Sequence, residues 1–295
     1  MTNVERLYPF SNSKSSSGSY KFKLGCQEKI AKETPTTKEW LELSSQFVHA
    51  SNDYKIYQAL LEKRKHVVVK VGTNKHLLDE YEKAKILSGL KLRTFISFYC
   101  FFTCNDSYNS LESNTKYLCN NEKNSDKISV LVMPFLPEGQ IDKFKWTRAN
   151  IHVFKYVLKH IICSLLYAFE NCLFVHRDMH LGNILLKKTT IQTIQYGSHI
   201  TLPVLGIIPV IMDFERSHIL ENKSNYALVY EDIRRVMNLA RSEIDVKLNI
   251  NVDFPQKYIM KNTPISTEVY IDFCTYIDSL KIDYVSSEMK LQFTF

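Results

Sequence analysis

Val175-His176-Arg177-Asp178-Met179-His180-Leu181-Gly182-Asn183-Ile184-Leu185-Leu186 sets apolar, β-rich residues on either side of a short polar loop. The loop carries Asp178 and, five residues later, Asn183. A tight loop running into a strand can aim both side chains to one side. There a carboxylate can accept a proton and an amide oxygen can ligate a hard cation. Downstream, Pro209-Val210-Ile211-Met212-Asp213-Phe214-Glu215 reads as a second apolar strand, this one ending in an aspartate and an aromatic residue.

The whole chain bounds what these two stretches can belong to. Its 295 residues are enough for one large or two smaller bodies, and 45% hydrophobic with 23% charged residues is ordinary globular composition. The net charge of +7 comes without a long Lys/Arg run interleaved with aromatics, so nucleic acid is not expected as a partner. The seven cysteines are odd in number and scattered, which argues against a secreted disulfide scaffold. Cys100, Cys104 and Cys119 could supply three zinc ligands, but no CxxC pair and no fourth ligand at standard spacing supports zinc, and Cys100 sits in an aromatic run expected to be core. With no opening signal peptide and no uninterrupted apolar stretch of about 20 residues, the expectation is a soluble intracellular protein without a membrane partner.

Taken in order, residues 1–37 form a tail, with a Ser-rich stretch at 11–19 that cannot bury enough surface to offset ordering entropy. From Trp40 to Gln58 there is no glycine, and Ser51, Asn52 and Asp53 are the turn formers. His66-Val67-Val68-Val69-Lys70-Val71 is a β-branched strand with a single lysine. From His76 to about Leu90, Leu77, Ala84 and Leu87 mark the inner face of a helix. Glu80 shares that face, whereas Glu82 points away by roughly 200°. An aromatic strand is expected over 94–103, a long polar loop over 104–127, and a strand over 128–133 that runs into Pro134-Phe135-Leu136. Ile151 to Asn171 is an amphipathic helix with Phe154, Val157, Ile161, Leu165 and Phe169 on one stripe. Residues 187–208 read as an inserted hairpin between the two apolar strands. A helix begins near Tyr230 with Asp232 in its first turn, and another covers about 268–280.

His176-Arg177-Asp178 with Asn183, the Asp213-Phe214 strand end and the lysine strand together resemble the eukaryotic-type protein-kinase superfamily over roughly residues 40–240. The insertion after the catalytic loop, Glu215 in place of a glycine, and the missing A-P-E resemble serine/threonine kinase-like proteins of large DNA viruses and, more distantly, haspin-type kinases. The resemblance implies an α+β, bilobal fold. The β-rich N-lobe would span 38–136 and the abbreviated helical C-lobe 137–295, with ATP and Mg²⁺ in the cleft and a protein substrate as acceptor. It implies a cytoplasmic setting, or a host cell or virion if the chain is viral.

The same resemblance implies roles by position. Asp178 would orient or deprotonate the acceptor hydroxyl, Asn183 and Asp213 would bind Mg²⁺, and Lys70, held by Glu80, would hold the phosphates. Met133 would stand at the gatekeeper position. Because Pro134 has no N–H, the adenine would rely on the backbone of Phe135 and Leu136. His180 stands where a serine/threonine kinase carries a lysine, and its Asp-x-His-x-Gly-Asn spelling is also similar to that of small-molecule kinases. His176 would pack near Phe214, Arg177 would pair with an acidic group after Asp213, and Asp232 would either accept bonds from the catalytic-loop backbone or simply favour a helix N-terminus. Three functions follow: a serine/threonine protein kinase, a small-molecule kinase, or a pseudokinase that acts as an interaction protein.

Overall fold

The computed structural model describes residues 41–50, 54–72, 76–106, 117–119, 126–147, 149–242, 246–248, 250–251 and 253–284. The Ser-rich stretch, the 51–53 turn and most of the 104–127 loop lie outside them. Two compact units emerge, one ending at Ser88 and resuming over Ile96–Phe135, the other made of Gly89–Phe95 and Leu136–Phe295.

The first unit is a five-stranded antiparallel sheet with one helix. Its strands are β1 (Leu41–Ala50), β2 (Tyr54–Leu61), β3 (Lys65–Gly72), β4 (Cys100–Asp106) and β5 (Asp126–Pro134), in the order β1-β2-β3-β5-β4. Alternation along β3 assigns the two faces. Val67, Val69 and Val71 enter a core with Tyr57, Leu61, Phe102, Ile128, Val130 and Val132, while Lys70 falls on the other face. Helix α1 (His76–Gly89) packs on that other face, and Tyr81 meets Phe101 at 5.2 Å. The helix buries Leu77, Glu80, Ala84 and Leu87 and leaves Glu82 exposed, as its periodicity predicts.

One expectation changes here. The aromatic strand begins at Cys100, not Thr94, because Phe95 forms a parallel bridge to Ile211 within the second unit. Cys104 and Cys119 are joined in a disulfide, and Cys100 is buried outside that bridge. Sequence spacing gave no hint of that bridge.

The second unit is built round α2 (Ile151–Cys172). By length and composition α2 could cross a membrane, but most of it is buried inside the unit. Phe154, Val157, Ile161, Leu165 and Phe169 are all buried, and so are Leu158, Ile162 and Leu166, so the apolar face is wider than the single expected stripe. Leu173 ends the helix in the left-handed region (φ 57°), with its N–H bonded to the carbonyls of Ala168 and Phe169. The chain continues through β6 (Phe174–Val175), a 3₁₀ turn (Leu181–Asn183) and β7 (Ile184–Lys188), which pairs with β10 (Ile207–Ile211). Between them the insertion forms a hairpin of β8 (Thr193–Tyr196) and β9 (Ile200–Pro203). Strand β11 (His218–Ile219) pairs with β6. Helix α3 (Ala227–Ser242), β12 (Val246–Leu248), α4 (Gln256–Lys261), α5 (Thr267–Ser279) and β13 (Ile282–Tyr284) complete the unit.

A buried polar cluster ties the hairpin to α2. His160 Nδ1 lies 2.8 Å from the Tyr196 hydroxyl, and His160 Nε2 lies 3.0 Å from the Pro203 carbonyl. Ser164 Oγ donates to Thr94 Oγ1 at 2.6 Å and lies 3.3 Å from the same tyrosine hydroxyl. Burial lowers the His160 pKa to about 4 against the raising effect of the Pro203 bond, so the imidazole is neutral here.

The backbone at His176 and Arg177 is fixed by one carboxylate. Asp232 Oδ2 accepts the His176 N–H at 2.7 Å, and Oδ1 accepts the Arg177 N–H at 3.0 Å. Because α3 starts at Ala227, Asp232 lies in the second helical turn, which removes the basis for the helix-terminus reading. Arg177 is left-handed (φ 67°), a conformation that costs a non-glycine residue about 1–3 kcal/mol and persists only when neighbours enforce it. Asp232 is 1% exposed. Burial raises its pKa from 3.8 to about 6, while the Arg177 and His176 bonds pull the other way. Asp232→Ala should therefore cost about 1–3 kcal/mol in urea unfolding by stranding the buried His176 N–H and freeing the Arg177 N–H beside it. For a carboxyl raised on folding, the stability share is full below the unfolded value and is lost as pH rises through the folded one. Wild-type stability should accordingly fall between about pH 4 and pH 6 relative to Asp232→Asn, and parallel pH profiles of the two proteins would refute this.

Candidate active site

In the first unit, the site residue is Lys70. Strand β3 sends it toward α1, where Nζ meets Glu80 Oε2 at 2.9 Å, with the side chains 4% and 2% exposed. The ten-residue separation of this pair is spanned because α1 starts soon after β3 ends. A buried pair of this kind is costly to desolvate and costlier to split, since either charge alone would be stranded. Nζ also lies 4.1 Å from the centroid of the Tyr54 ring. Sequence reading did not single out Tyr54. The signal was present in β2, where Tyr54 and Ile56 share a face and Ile56 stands opposite Lys70. Met133 is buried near the end of β5 opposite Val68, whereas Phe135, just past the strand, is exposed.

In the second unit, the loop at 176–183 is held at several points. His176 is fully buried between Phe174 and Phe214, at ring separations of 6.0 and 5.9 Å. Its Nε2–H donates to the Met212 carbonyl at 3.0 Å, and its Nδ1 has no hydrogen-bond partner among the described residues. Burial lowers the His176 pKa to about 4 despite that bond and the nearby charges of Asp213 and Asp178, so it is neutral. Asn183 donates from Nδ2 to the Asp178 carbonyl at 3.0 Å, which closes the loop and leaves its amide oxygen to face elsewhere. The Met212 N–H donates to the Asn183 carbonyl at 3.0 Å, so strand β10 delivers Asp213 beside Asn183. Asp213 is left-handed (φ 64°), as is Arg177, and the two held backbone positions flank the polar residues.

Two neighbours were not foreseen. Arg216, 75% exposed, places Nη1 3.8 Å from Asp178 Oδ1. Arg177 pairs with no carboxylate of residues 215–230 among the described residues. Instead its carbonyl accepts Arg235 Nη1 at 2.6 Å. His180 is exposed, and its ring lies over Gly182, where an added Cβ would come within 2.9 Å of Nδ1 and push the imidazole aside. Gln140 Nε2 donates to the Gly182 carbonyl at 3.1 Å. Leu136 accepts a bond from the Gly139 N–H in the turn after β5. A separate hollow of about 530 Å³, lined by Phe144, Trp146, Val153, Leu205 and Ile207, contains none of these residues.

The donor chemistry fits magnesium. An amide oxygen and a carboxylate are hard ligands, and Mg²⁺ is ordinarily held by one or two protein oxygens, with phosphates and water completing its octahedron. Among the described residues no group of three His, Cys, Asp or Glu side chains could form a self-sufficient metal cage.

The ABC1 atypical kinase-like domain matches residues 122–239. Serine/threonine-protein kinase haspin of Mus musculus is 30% identical over 113 residues, 37% of this chain and 15% of the relative. Haspin of Bos taurus is 29% identical over 113 residues, 37% of this chain and 14% of the relative. The uncharacterized protein ZK177.2 of Caenorhabditis elegans is 29% identical over 98 residues, 32% of this chain and 33% of that protein. The chain thus matches at most a third of each relative's length. Haspin is the more distant resemblance drawn from sequence, whereas ABC1 was not among those named. Together these matches support a protein-kinase-like superfamily.

Proposed function

We propose that the chain is an ATP- and Mg²⁺-dependent phosphotransferase whose acceptor is a serine or threonine hydroxyl of a protein. The observation that carries this reading is the closed loop, in which the Asn183 amide nitrogen binds the Asp178 carbonyl while β10 sets Asp213 alongside. That leaves one carboxylate for a proton and two oxygen ligands for a cation. Bound Mg²⁺ would offset the charge on the phosphates. Asn183 and Asp213 would hold it, Asp178 would accept the proton of the acceptor hydroxyl, and Lys70, oriented by Glu80, would meet phosphate oxygens. Met133 and the backbone of Phe135 and Leu136 would border the adenine, and His180 would offer an N–H toward the terminal phosphate.

A second reading, a pseudokinase that acts as an interaction protein, is favoured by the absence of glycine from Trp40 to Gln58, since close backbone approach to phosphates ordinarily needs it. A small-molecule acceptor draws support from His180. Purified protein with labelled ATP and Mg²⁺, with and without generic protein acceptors, separates the three.

Mg-ATP at about a hundred times its Kd should add roughly 2.7 kcal/mol of stability, and Lys70→Ala should shrink the resulting rise in Tm. No rise at millimolar Mg-ATP would favour the pseudokinase. Asp178→Asn should keep Mg-ATP affinity by calorimetry while transfer falls by about 10²–10⁴-fold, the scale of a lost general base. Asp213→Asn should weaken both binding and transfer. If Asp178→Asn transfers as well as wild type, the catalytic-loop assignment is wrong.

A further inference from the structure

Lys70 is enclosed by more than its carboxylate partner. Ile56 stands opposite Lys70 across the β2–β3 ladder, and Tyr54, two residues back along β2, shares that face. The Tyr54 ring centroid is 4.1 Å from Nζ, within cation–π range. The ammonium therefore meets a carboxylate at 2.9 Å and an aromatic ring, and the lysine side chain is 4% exposed. A phosphate oxygen must come within about 2.8 Å of an ammonium nitrogen to bind it. So little exposure leaves no approach for one while the ring is in place. Glu80 is buried on α1, whereas Tyr54 is only half-buried at the very start of its strand. Turning Tyr54 about its side-chain torsions would uncover the side of Nζ that the ring now occupies without disturbing the Glu80 ion pair.

We propose that Tyr54 is a positioning residue for nucleotide binding: its ring covers Lys70 in the free protein, must turn aside before a phosphate can reach the ammonium, and so sets nucleotide affinity. The covering is independent of any activity, but what displaces the ring rests on the phosphotransferase reading above. A cation–π contact of ordinary strength corresponds to about two- to thirty-fold in an equilibrium constant, enough to tune affinity and too little to abolish it.

The test compares wild type, Tyr54→Phe and Tyr54→Ala in two measurements. In the first, the nucleotide-free proteins react with an acetylating ester, and acetylation of Lys70 is followed by peptide mass spectrometry. Lys188, 74% exposed, serves as the reactive reference, and Lys159, 5% exposed, reports that the fold is intact. Tyr54→Ala should raise the Lys70 rate about ten-fold, and Tyr54→Phe, which keeps the π face, should stay within about two-fold of wild type. Should the alanine variant lose protection at Lys159, Tyr54→Leu, which keeps apolar contact but no π face, takes its place with the same expected direction. In the second measurement, Mg-ATP should bind Tyr54→Ala about two- to thirty-fold more tightly than wild type. An unchanged Lys70 rate in the alanine variant overturns the proposal, as does faster labelling accompanied by weaker nucleotide binding. Faster labelling with no nucleotide binding by any variant would instead uphold the covering and refute the phosphotransferase reading.

Discussion

The Asp232 carboxylate is the contact on which the loop at 176–183 depends. Two backbone N–H groups point at it from a stretch whose second residue, Arg177, is held left-handed, and the first of them, on His176, is buried. The helix that carries Asp232 is anchored by Val229, Tyr230, Ile233, Val236 and Met237, all buried. The packing of α3 therefore becomes the placement of a loop more than fifty residues away in the chain. Burial and hydrogen bonding oppose each other at this one group, and the raised pKa records that burial has the larger effect. A carboxylate kept where it is expensive to ionise makes sense only if its geometry is needed.

Much of this was legible in the sequence because periodicity and spacing are local properties. The alternation in β3 placed Lys70 on the face opposite the valine core, and the helical period of α1 chose Glu80 over Glu82. The spacing of Asp178 and Asn183 closed a loop through their own hydrogen bond. What escaped depends on contacts between distant segments. Thr94 and Phe95 look like the start of an aromatic strand, but their partners Ser164 and Ile211 lie far along the chain. The Cys104–Cys119 bridge joins the end of β4 to a separate segment beyond a polar stretch, and spacing alone could not pair them. Arg216 reaches Asp178 by the local turn after Asp213, and a motif defined by glycine there gives no reason to look for it.

The two units place their functional groups by different physics. Around Lys70 the solution is electrostatic, a buried cation set against the Glu80 carboxylate and an aromatic face, where splitting the ion pair leaves a desolvated charge. Around Asp178 the polar side chains are more open, and precision comes from the backbone: carbonyls of Asp178, Asn183 and Met212 are each bonded, and the His176 ring is wedged among aromatics. Substitutions in the first setting act through charge, and in the second through the register of a strand or the hold on a loop.

The β8–β9 hairpin separates the two strands that carry Asn183 and Asp213, and insertions of this kind are usually surface excursions that exchange with solvent on their own. Here Tyr196 is fully buried against α2, and Ser164, His160 and Thr94 complete a hydrogen-bonded cluster that no piece can leave alone without stranding the others. The hairpin and α2 thus form one cooperative unit, in which amide hydrogens of Tyr196 and of the middle of α2 would exchange together. The insertion has become part of the frame that holds β7 and β10 in register, and shortening it would loosen the frame rather than trim an ornament.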